Sequence, residues 1–259
     1  MRVATFNING IKARLPALTG WLDEARPDLV LLQEIKSTAE TFPEEPFAER
    51  GYNLAVAGQK GFNGVAILSK LPLEDVARGL PGDDEDDQAR WIEATVTGET
   101  AVRVAGLYAP NGNPAPGPKF DYKLAWMARM GDRVRALLET EMPIVLGGDY
   151  NVIPADEDAA NPEKWAGDAL ALPDSRAALR RILHPGLTDA IATRLPGAGH
   201  YTFWDYQGGA WRRGDGIRID HLLLSPQAAD LMTGAGIDSD QRGREKPSDH
   251  VPVWVELDA

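Results

Sequence analysis

Four hydrophobic runs in this sequence each end at a polar residue that could hold a metal ion or contact a phosphate. These residues are Asn7, Glu34, Tyr108 and Asp149. Short runs of aliphatic and β-branched residues predict buried strands, and polar side chains at strand ends can converge on one rim of a sheet. Carboxylates, amides and a phenol held in this way are the parts of a Mg²⁺-dependent phosphodiesterase, and Mn²⁺ suits the same ligands.

Glu34 is the leading candidate for a metal ligand. It ends the most apolar strand pattern in the chain, 28–33. Mg²⁺ often takes only one or two carboxylates, together with water and substrate phosphate, so a single Glu at a strand end suffices. The alternative is a core strand that simply ends at a solvated Glu.

A second carboxylate follows two glycines, in Gly147-Gly148-Asp149-Tyr150-Asn151. The glycines let another backbone approach closely, and Asp149 and Asn151 face the same side if the extended geometry continues. Since Gly, Asp and Asn are also turn formers, an ordinary turn is the alternative.

His250 directly precedes a predicted strand and lies next to Asp249. Adjacent strand residues face opposite ways, so these two side chains serve different partners. Asp220 lies inside an apolar strand and needs a partner there, because a lone buried carboxylate is costly. We expect that partner to be His250, held charged for a phosphate oxygen; a purely structural pair is the alternative. His221 points away from Asp220 and is expected to be non-catalytic.

The chain composition is that of an ordinary globular protein. It has 259 residues, 25% charged residues, no cysteine and a net charge of −12. Disulfides and thiol chemistry are excluded, and the acidity argues against non-specific coating of DNA. No linker divides the chain and no apolar run approaches a membrane span, so we expect one domain over 1–259, no membrane contact and a cytoplasmic location.

The hydrophobic pattern predicts many strands and few helices, which excludes a regular β-α-β alternation and favours two packed sheets with helices outside. The predicted strands are 2–7, 28–33, 52–57, 64–69, 90–96, 102–108, 143–148, 201–205, 217–224 and 251–257. The predicted helices are 14–25, 119–140, 175–183 and 226–232. In the helix at 119–140, Lys123 is expected on the polar side.

Seven short motifs occur in an order that resembles the exonuclease III family of abasic-site endonucleases, within the endonuclease/exonuclease/phosphatase superfamily. Each motif is weak alone, but the order is specific and spans nearly the whole chain. They are Asn7-Ile8-Asn9-Gly10, Gln33-Glu34-Ile35-Lys36, Tyr108-Ala109-Pro110-Asn111, Gly148-Asp149-Tyr150-Asn151-Val152, Tyr201-Thr202-Phe203-Trp204, Arg218-Ile219-Asp220 and Ser248-Asp249-His250.

The resemblance implies an α/β fold: a four-layer α/β/β/α sandwich of two packed mixed β-sheets flanked by helices. It implies a monomer that acts on double-stranded DNA with Mg²⁺. The reactions are hydrolysis of the phosphodiester 5′ to abasic sites and trimming of blocked 3′ ends, with 3′→5′ exonuclease activity as a further expectation.

The resemblance also assigns roles by position. Glu34 is the principal metal ligand, supported by Asn9 and Asp249, and Asp149 orients or deprotonates the attacking water. The other catalytic residues are Tyr108 and His250 as donors to phosphate oxygens, Asp220 as the partner of His250, and Asn151 as a site-ordering amide. The substrate-binding residues are Asn7, Lys36, Asn111, Phe203, Ile217 and Arg212. Many relatives carry Trp where this chain has Ile217.

Basic residues in or beside the predicted loops are the expected contacts to DNA. They are Lys36, Arg90, Arg212, Arg213, Arg242 and Lys246. Two other function classes remain open: a phosphoesterase of the same superfamily acting on a lipid or inositol phosphate, and a non-catalytic nucleic-acid-binding module.

Overall fold

The computed structural model describes residues 1–259 and contains twelve strands and seven α-helices. The strands are β1 Arg2–Asn7, β2 Leu29–Gln33, β3 Asn53–Ala57, β4 Val65–Ser69, β5 Leu73–Arg78, β6 Trp91–Thr97, β7 Ala101–Tyr108, β8 Ile144–Asp149, β9 Thr188–Asp189, β10 Asp220–Leu224, β11 Met232–Ile237 and β12 Val253–Leu257. The helices are α1 Ile11–Ala25, α2 Glu45–Ala48, α3 Pro118–Leu138, α4 Pro173–Leu183, α5 Ala190–Arg194, α6 Ala210–Arg213 and α7 Pro226–Asp230. None of these helices combines the length and apolar character needed to cross a membrane.

The strands form two mixed six-stranded sheets. Their orders are β11-β12-β1-β2-β4-β3 and β5-β6-β7-β8-β10-β9. Each sheet contains one parallel pair, β1 with β2 and β7 with β8, and the remaining pairs are antiparallel. The sheets pack face to face with helices on both outer faces, which confirms the predicted α/β/β/α sandwich.

The side chains of β2 show how the layers are joined. Leu29 and Leu31 belong to the core between the sheets, whereas Val30 and Leu32 pack in the outer core with α1. All four are fully buried. A strand covered on both faces reads as a continuous apolar run, which is why this strand could be recognised from the sequence.

Two glycines allow close packing at the end of β8, as predicted. A Cβ on Gly147 would lie 2.7 Å from Leu31 of the facing sheet, and one on Gly148 would lie 2.0 Å from the carbonyl oxygen of Leu107. The first glycine lets the two sheets approach, and the second lets β8 approach β7. Both contacts lie directly before Asp149.

The apolar face of α3 covers the second sheet, through Trp126, Met127, Met130 and Val134. The prediction that Lys123 takes the polar side of this helix is wrong: its side chain is completely buried. That assignment of Lys123 rested on residue type alone.

Several elements differ from the predicted ones. The segment 201–205 is not a strand, because Phe203 makes only isolated bridges to Ile217 and His250. The predicted helix 226–232 is found as α7, but β11 after it was missed, since its Gly-containing sequence MTGAGI lacks a strand pattern. The edge strand β5, largely exposed, and the two-residue β9 also lack hydrophobic runs.

Candidate active site

The two parallel strand pairs bring the predicted site residues to one rim. Asn7 lies opposite Gln33, the last residue of β2, and Tyr108 lies opposite Asp149. Asp220, at the start of the antiparallel β10, is the partner of Asp149 on the other side. Residues far apart in the chain therefore meet because parallel strands end together and β10 begins where β8 ends.

Asn7 connects the two sheets at this rim. Its amide Nδ2 donates to Glu34 Oε1 at 2.9 Å and to Asp149 Oδ2 at 3.0 Å. The side chain is fully buried, and the Ser248 hydroxyl donates to its backbone carbonyl at 2.7 Å. Asn7 thus fixes the spacing of two carboxylates, and its expected contact with substrate stays a prediction.

Left-handed backbone conformations cluster around these carboxylates. Asn9, Glu34, Lys36 and Asn151 have φ values of 45°, 48°, 52° and 49°. Residues other than glycine adopt this region at a cost, and such residues persist where the surrounding structure holds them. Their concentration on one rim makes this rim the candidate functional surface of the fold.

A buried histidine–aspartate pair lies beside Asp149. His250 Nδ1 is 2.8 Å from Asp220 Oδ2, and His250 Nε2 is 3.8 Å from Asp149 Oδ2. Burial alone would lower the pKa of His250, but the Asp220 carboxylate outweighs it, helped by Asp149 and Asp249, and raises that pKa to about 10. His250 therefore carries a proton on both ring nitrogens at neutral pH, with Nε2 free of the Asp220 contact.

The other buried histidine lies outside this pair, as predicted. His221 Nδ1 is 3.1 Å from Arg218 Nη1, and its Nε2 is 3.2 Å from the carbonyl oxygen of Val152. Arg218 also donates to Asp158 at 2.7 Å and to Asp189 at 2.6 Å. His221 and Arg218 thus form a buried network behind the rim.

Asp149 is suited to accept a proton near neutral pH. Burial raises its pKa to about 7; His250 opposes that rise, whereas the charges of Asp220 and Glu34 add to it. A carboxylate with a pKa near the working pH is an efficient general base. Its other oxygen, Oδ1, accepts the backbone N–H of Asn151 at 2.9 Å, which fixes the orientation of the carboxylate.

Asn151 and Asn111 lie in loops that meet beside Asp149. Asn151 Nδ2 donates to the carbonyl oxygen of Ala109 at 2.9 Å, and Asn111 Nδ2 donates to Asn151 Oδ1 at 3.2 Å. The chain turns after Asp149 instead of continuing extended, so the turn alternative describes the backbone correctly. The turn itself orients the carboxylate.

Tyr108 ends β7 next to the carboxylates. Burial raises the pKa of its phenol well above the ordinary value, and the charges of Glu34 and Asp149 raise it further. The Arg90 guanidinium lies over the ring, 4.9 Å from its centroid, and Arg90 Nη1 donates to the Tyr108 carbonyl oxygen at 3.1 Å. The phenol therefore keeps its proton at neutral pH and can donate a hydrogen bond without carrying charge.

An ammonium group lies among the predicted metal ligands. Lys36 Nζ is 3.0 Å from Glu34 Oε2 and also donates to Asn9 Oδ1. Asn9 Nδ2 in turn donates to Asp249 Oδ1 at 2.9 Å. Oxygen ligands that already bind a cation fit a hard divalent ion such as Mg²⁺.

Three ionisable side chains could also gather around one ion. Ligand atoms of Glu34, Asp149 and His250 lie within 4.8 Å of one another. Because His250 Nδ1 is engaged by Asp220 and the ring is protonated, carboxylate oxygens are the better ligands. Glu34 belongs to this group and, through the shared contact with Lys36, also lies beside Asn9 and Asp249.

Phe203 and Ile217, two of the expected substrate-binding residues, lie close together but differ in exposure. The Phe203 ring is half-buried and packs edge-on against the His250 ring, with centroids 4.9 Å apart. Ile217 is 1% exposed and Ile219 2%, both in an apolar cluster beneath Phe203. Phe203 thus has surface to offer a ligand, while the expected substrate contact of Ile217 stays a prediction.

The predicted basic contacts also divide by exposure. Arg212 and Lys246 are exposed, and Arg213 is exposed but pairs with Asp215 at 3.2 Å. The prediction that Arg242 is a free DNA contact is wrong. Arg242 is buried and donates to the Trp204 carbonyl oxygen at 3.1 Å, so it holds the loop that contains Trp204.

Two supporting residues were missed. The Thr202 hydroxyl accepts the backbone N–H groups of Ile219 and Asp220, both at 3.1 Å, and thereby positions Asp220. The Ser248 hydroxyl accepts the His250 N–H at 3.2 Å in addition to its bond to Asn7. Both lie in motifs that the sequence analysis singled out, but a lone hydroxyl gives no signal of its partner.

The fold and the site were compared with known protein families. Residues 4–250 match the endonuclease/exonuclease/phosphatase family, and the chain belongs to that family. Exodeoxyribonuclease III of Haemophilus influenzae is 36% identical over 99% of this chain and all of that protein.

Solved structures agree with this assignment over the whole chain. A 3′–5′ exonuclease (NExo) from Neisseria meningitidis has a TM-score of 0.96 at 39% identity, and an AP endonuclease from Archaeoglobus fulgidus has 0.95 at 36%, each covering 100% of both chains. The expected family and class of enzyme, a hydrolase, are confirmed.

Proposed function

We propose that this protein is a Mg²⁺-dependent DNA-repair nuclease of the exodeoxyribonuclease III type. It hydrolyses the phosphodiester 5′ to abasic sites in double-stranded DNA and trims blocked 3′ ends. The observation that carries the proposal is the Asp220–His250 pair at 2.8 Å, placed beside Asp149 and Glu34 on one rim. A relative described as a 3′ phosphatase bound to a product DNA hairpin supports the substrate class.

Each proposed role follows from position and proton state. Asp149, with a pKa of about 7, takes a proton from the attacking water. His250 Nε2–H and the Tyr108 phenol donate to phosphate oxygens, where negative charge develops. Asp220 keeps His250 charged, while Asn7 and the Asn151 turn hold Asp149 in place.

Glu34, Asn9 and Asp249 would hold the metal ion, in place of the Lys36 ammonium. The ion would supply Lewis-acid polarisation of the phosphate, and Mn²⁺ would serve with the same oxygen ligands. The displaced Lys36 would then be free to contact a DNA phosphate.

The competing functions predict different outcomes. A phosphoesterase for lipid or inositol phosphates would share the carboxylates and the Asp–His pair but would have no use for the half-buried Phe203 beside His250. A non-catalytic module would have no need of a general base and a charged donor 3.8 Å apart. Cleavage of abasic duplex DNA, measured with and without Mg²⁺ beside a phosphoinositide assay, separates the three.

Glu34→Ala is the sharpest test of the metal site. We expect loss of cleavage at low Mg²⁺ and partial recovery at high Mg²⁺, because Mg²⁺ depends on few protein carboxylates. Glu40→Ala, an exposed carboxylate in the same loop, is the matched control. An unchanged Mg²⁺ dependence in Glu34→Ala would remove this residue from the site.

Monomeric state, a single domain over 1–259 and a cytoplasmic location belong to the same proposal. Sedimentation would test the first, a single calorimetric unfolding transition the second, and cell fractionation the third.

A further inference from the structure

Lys123 is a completely buried lysine on the core side of α3. Its ammonium Nζ donates to three backbone carbonyl oxygens: Asn151 at 2.5 Å, Asn111 at 3.1 Å and Ala169 at 3.3 Å. The Asn111 carbonyl lies in the loop after β7, whereas those of Asn151 and Ala169 lie near the two ends of the connection between β8 and α4. One side chain therefore joins loops that are distant in sequence.

Both of these loops carry residues of the candidate active site. Asn111 follows β7 and Asn151 follows β8, and their side chains are hydrogen-bonded to each other at 3.2 Å. The backbone N–H of Asn151 holds Asp149 Oδ1 at 2.9 Å. Lys123 is therefore separated from the Asp149 carboxylate by a single residue.

The ammonium is unfavourable for folding in itself. Burial lowers the pKa of Lys123 to about 7, against the opposing charges of Asp149 and Asp168. An apolar side chain of similar volume is often as stabilising as a buried charge, or more so. What an apolar side chain cannot do is attract three carbonyl oxygens to one point.

The surrounding backbone makes room for this lysine. A Cβ on Gly112 would lie 2.7 Å from Lys123 Cδ. Gly112 also has a φ of +91°, a conformation that favours glycine. The loop after β7 is thus shaped around the lysine stem as well as bonded to its ammonium.

We propose that Lys123 is a positioning residue of the active site, which clamps the loops after β7 and β8 so that the Asn151 turn orients Asp149. This inference rests on the proposed function for its effect on catalysis, but the clamping itself does not depend on the identity of the substrate.

The test compares Lys123→Met with Ser175→Ala. Ser175 is also fully buried and donates to the Ala169 carbonyl oxygen at 2.5 Å, so its loss removes a bond at the far end of the β8–α4 connection without touching the Asn111 and Asn151 carbonyls. Hydrogen exchange is followed by mass spectrometry in the peptides covering 109–113 and 149–153. Steady-state cleavage of abasic duplex DNA with Mg²⁺ is measured on the same samples, and folding is checked by near-UV circular dichroism.

We expect Lys123→Met to speed exchange in both peptides and to lower kcat about 10- to 100-fold at nearly constant KM, because small misplacements of catalytic groups cost this much. Ser175→Ala should leave both peptides and kcat unchanged. If Lys123→Met does not fold, Gly112→Ala is measured instead. Its added Cβ would lie 2.7 Å from Lys123 Cδ and displace that side chain, so we expect the same changes in exchange and kcat.

The two proposals fail separately. If the wild type cuts no abasic DNA, the proposed function is wrong. The hydrogen-exchange data still test whether Lys123 holds the loops after β7 and β8. Unchanged exchange in both peptides, or faster exchange with an unaltered kcat in an active enzyme, overturns the positioning role.

Discussion

Two hydrogen bonds hold the Asp149 carboxylate, so a change to Asn tests the effect of its charge separately from that of its shape. Asn7 donates to Oδ2 and the Asn151 N–H to Oδ1. In Asp149→Asn, one oxygen still accepts from Asn151, but the new amide faces Asn7 and the negative charge is lost. We expect kcat to fall ~10² to 10⁴-fold, the usual cost of losing a positioned general base, with DNA affinity little changed.

The measurement is single-turnover cleavage together with DNA binding in Ca²⁺. Asp156→Asn is the control. Asp156 is an exposed carboxylate in the loop after β8 and pairs only with Arg176 of α4. A mutant that keeps more than half of the wild-type turnover would assign activation of the water to another residue.

The Asp220–His250 pair predicts a specific change in pH dependence. His250 must be charged to donate from Nε2, and its pKa of about 10 keeps it charged through neutral pH. The main cause of that elevation is the Asp220 carboxylate. In Asp220→Asn, burial, which lowers the pKa of His250, is no longer outweighed, so the alkaline limb of kcat/KM should move to lower pH.

Profiles between neutral pH and pH values above 10 would show this displacement. Asp189→Asn removes a carboxylate near the other buried histidine, His221, and should leave the limb in place. An Asp220→Asn enzyme with the wild-type limb would show that His250 does not titrate in the reaction. Asp220→Asn and His250→Asn should also be non-additive, because the two residues act as a unit.

Most site residues could be predicted from residue type and position at strand ends, but their contacts could not. Glu34 and Asp149 follow buried runs, which leaves a recognisable pattern. The position of Lys36 between Glu34 and Asn9, and the burial of Lys123, depend on loops whose geometry no local pattern encodes. Arg242 was misassigned for the same reason.

At the scale of elements, prediction succeeded where a strand is covered on both faces. β2 and β8 are entirely buried and read as continuous apolar runs. β5 and β11 are partly exposed edge strands, whose pairing depends on neighbours instead of their own pattern. The segment 201–205 has strand-like aromatic residues, yet it pairs only through single bridges at Phe203.

The segment 201–205 carries Phe203, one of the expected substrate-binding residues. An abasic sugar can leave the duplex without unstacking a base, whereas a normal nucleotide must unstack and is bulkier. If Phe203 forms the wall of a small pocket beside His250, Phe203→Ala should widen it. We expect the ratio of abasic to intact-nucleotide cleavage to fall.

Ile153→Val is the matched control, because Ile153 is fully buried in the apolar cluster beneath Phe203 and has no expected contact with substrate. Loss of one buried methyl group should cost about 0.5–1.5 kcal/mol in free energy of unfolding and leave the cleavage ratio unchanged. Equal ratios in Phe203→Ala and the wild type would return Phe203 to a packing role. A changed ratio in Ile153→Val would instead show that packing beneath Phe203 alone alters the ratio.

For the whole molecule, both ends of the chain contribute to one sheet. β1 pairs with β12, and the Met1 ammonium donates to the Leu257 carbonyl oxygen at 2.6 Å. The sequence indicated two sheets, because the number of strands exceeded what the helices could connect in alternation. It could not indicate the strand order, which depends on contacts between distant segments.

The net charge of −12 sets the final prediction, on how an acidic protein engages DNA. Binding must rest on a few local cations, of which Arg212 and Lys246 are exposed and form no salt bridge. Each phosphate contact releases counterions, so the logarithm of affinity should fall linearly with the logarithm of salt concentration. Neutralising a true contact to Gln should flatten that slope by about one unit.

Fluorescence anisotropy with an abasic duplex in Ca²⁺, across a salt series, gives the slope for Arg212→Gln and Lys246→Gln. Arg180→Gln, an exposed residue on α4 and not one of the predicted contacts, is the control and should keep the wild-type slope. The wild-type slope should be shallow, because few cations contribute and the acidic remainder repels the duplex. A slope unchanged in both test variants, or an affinity independent of salt, would mean that other groups hold the DNA on the rim.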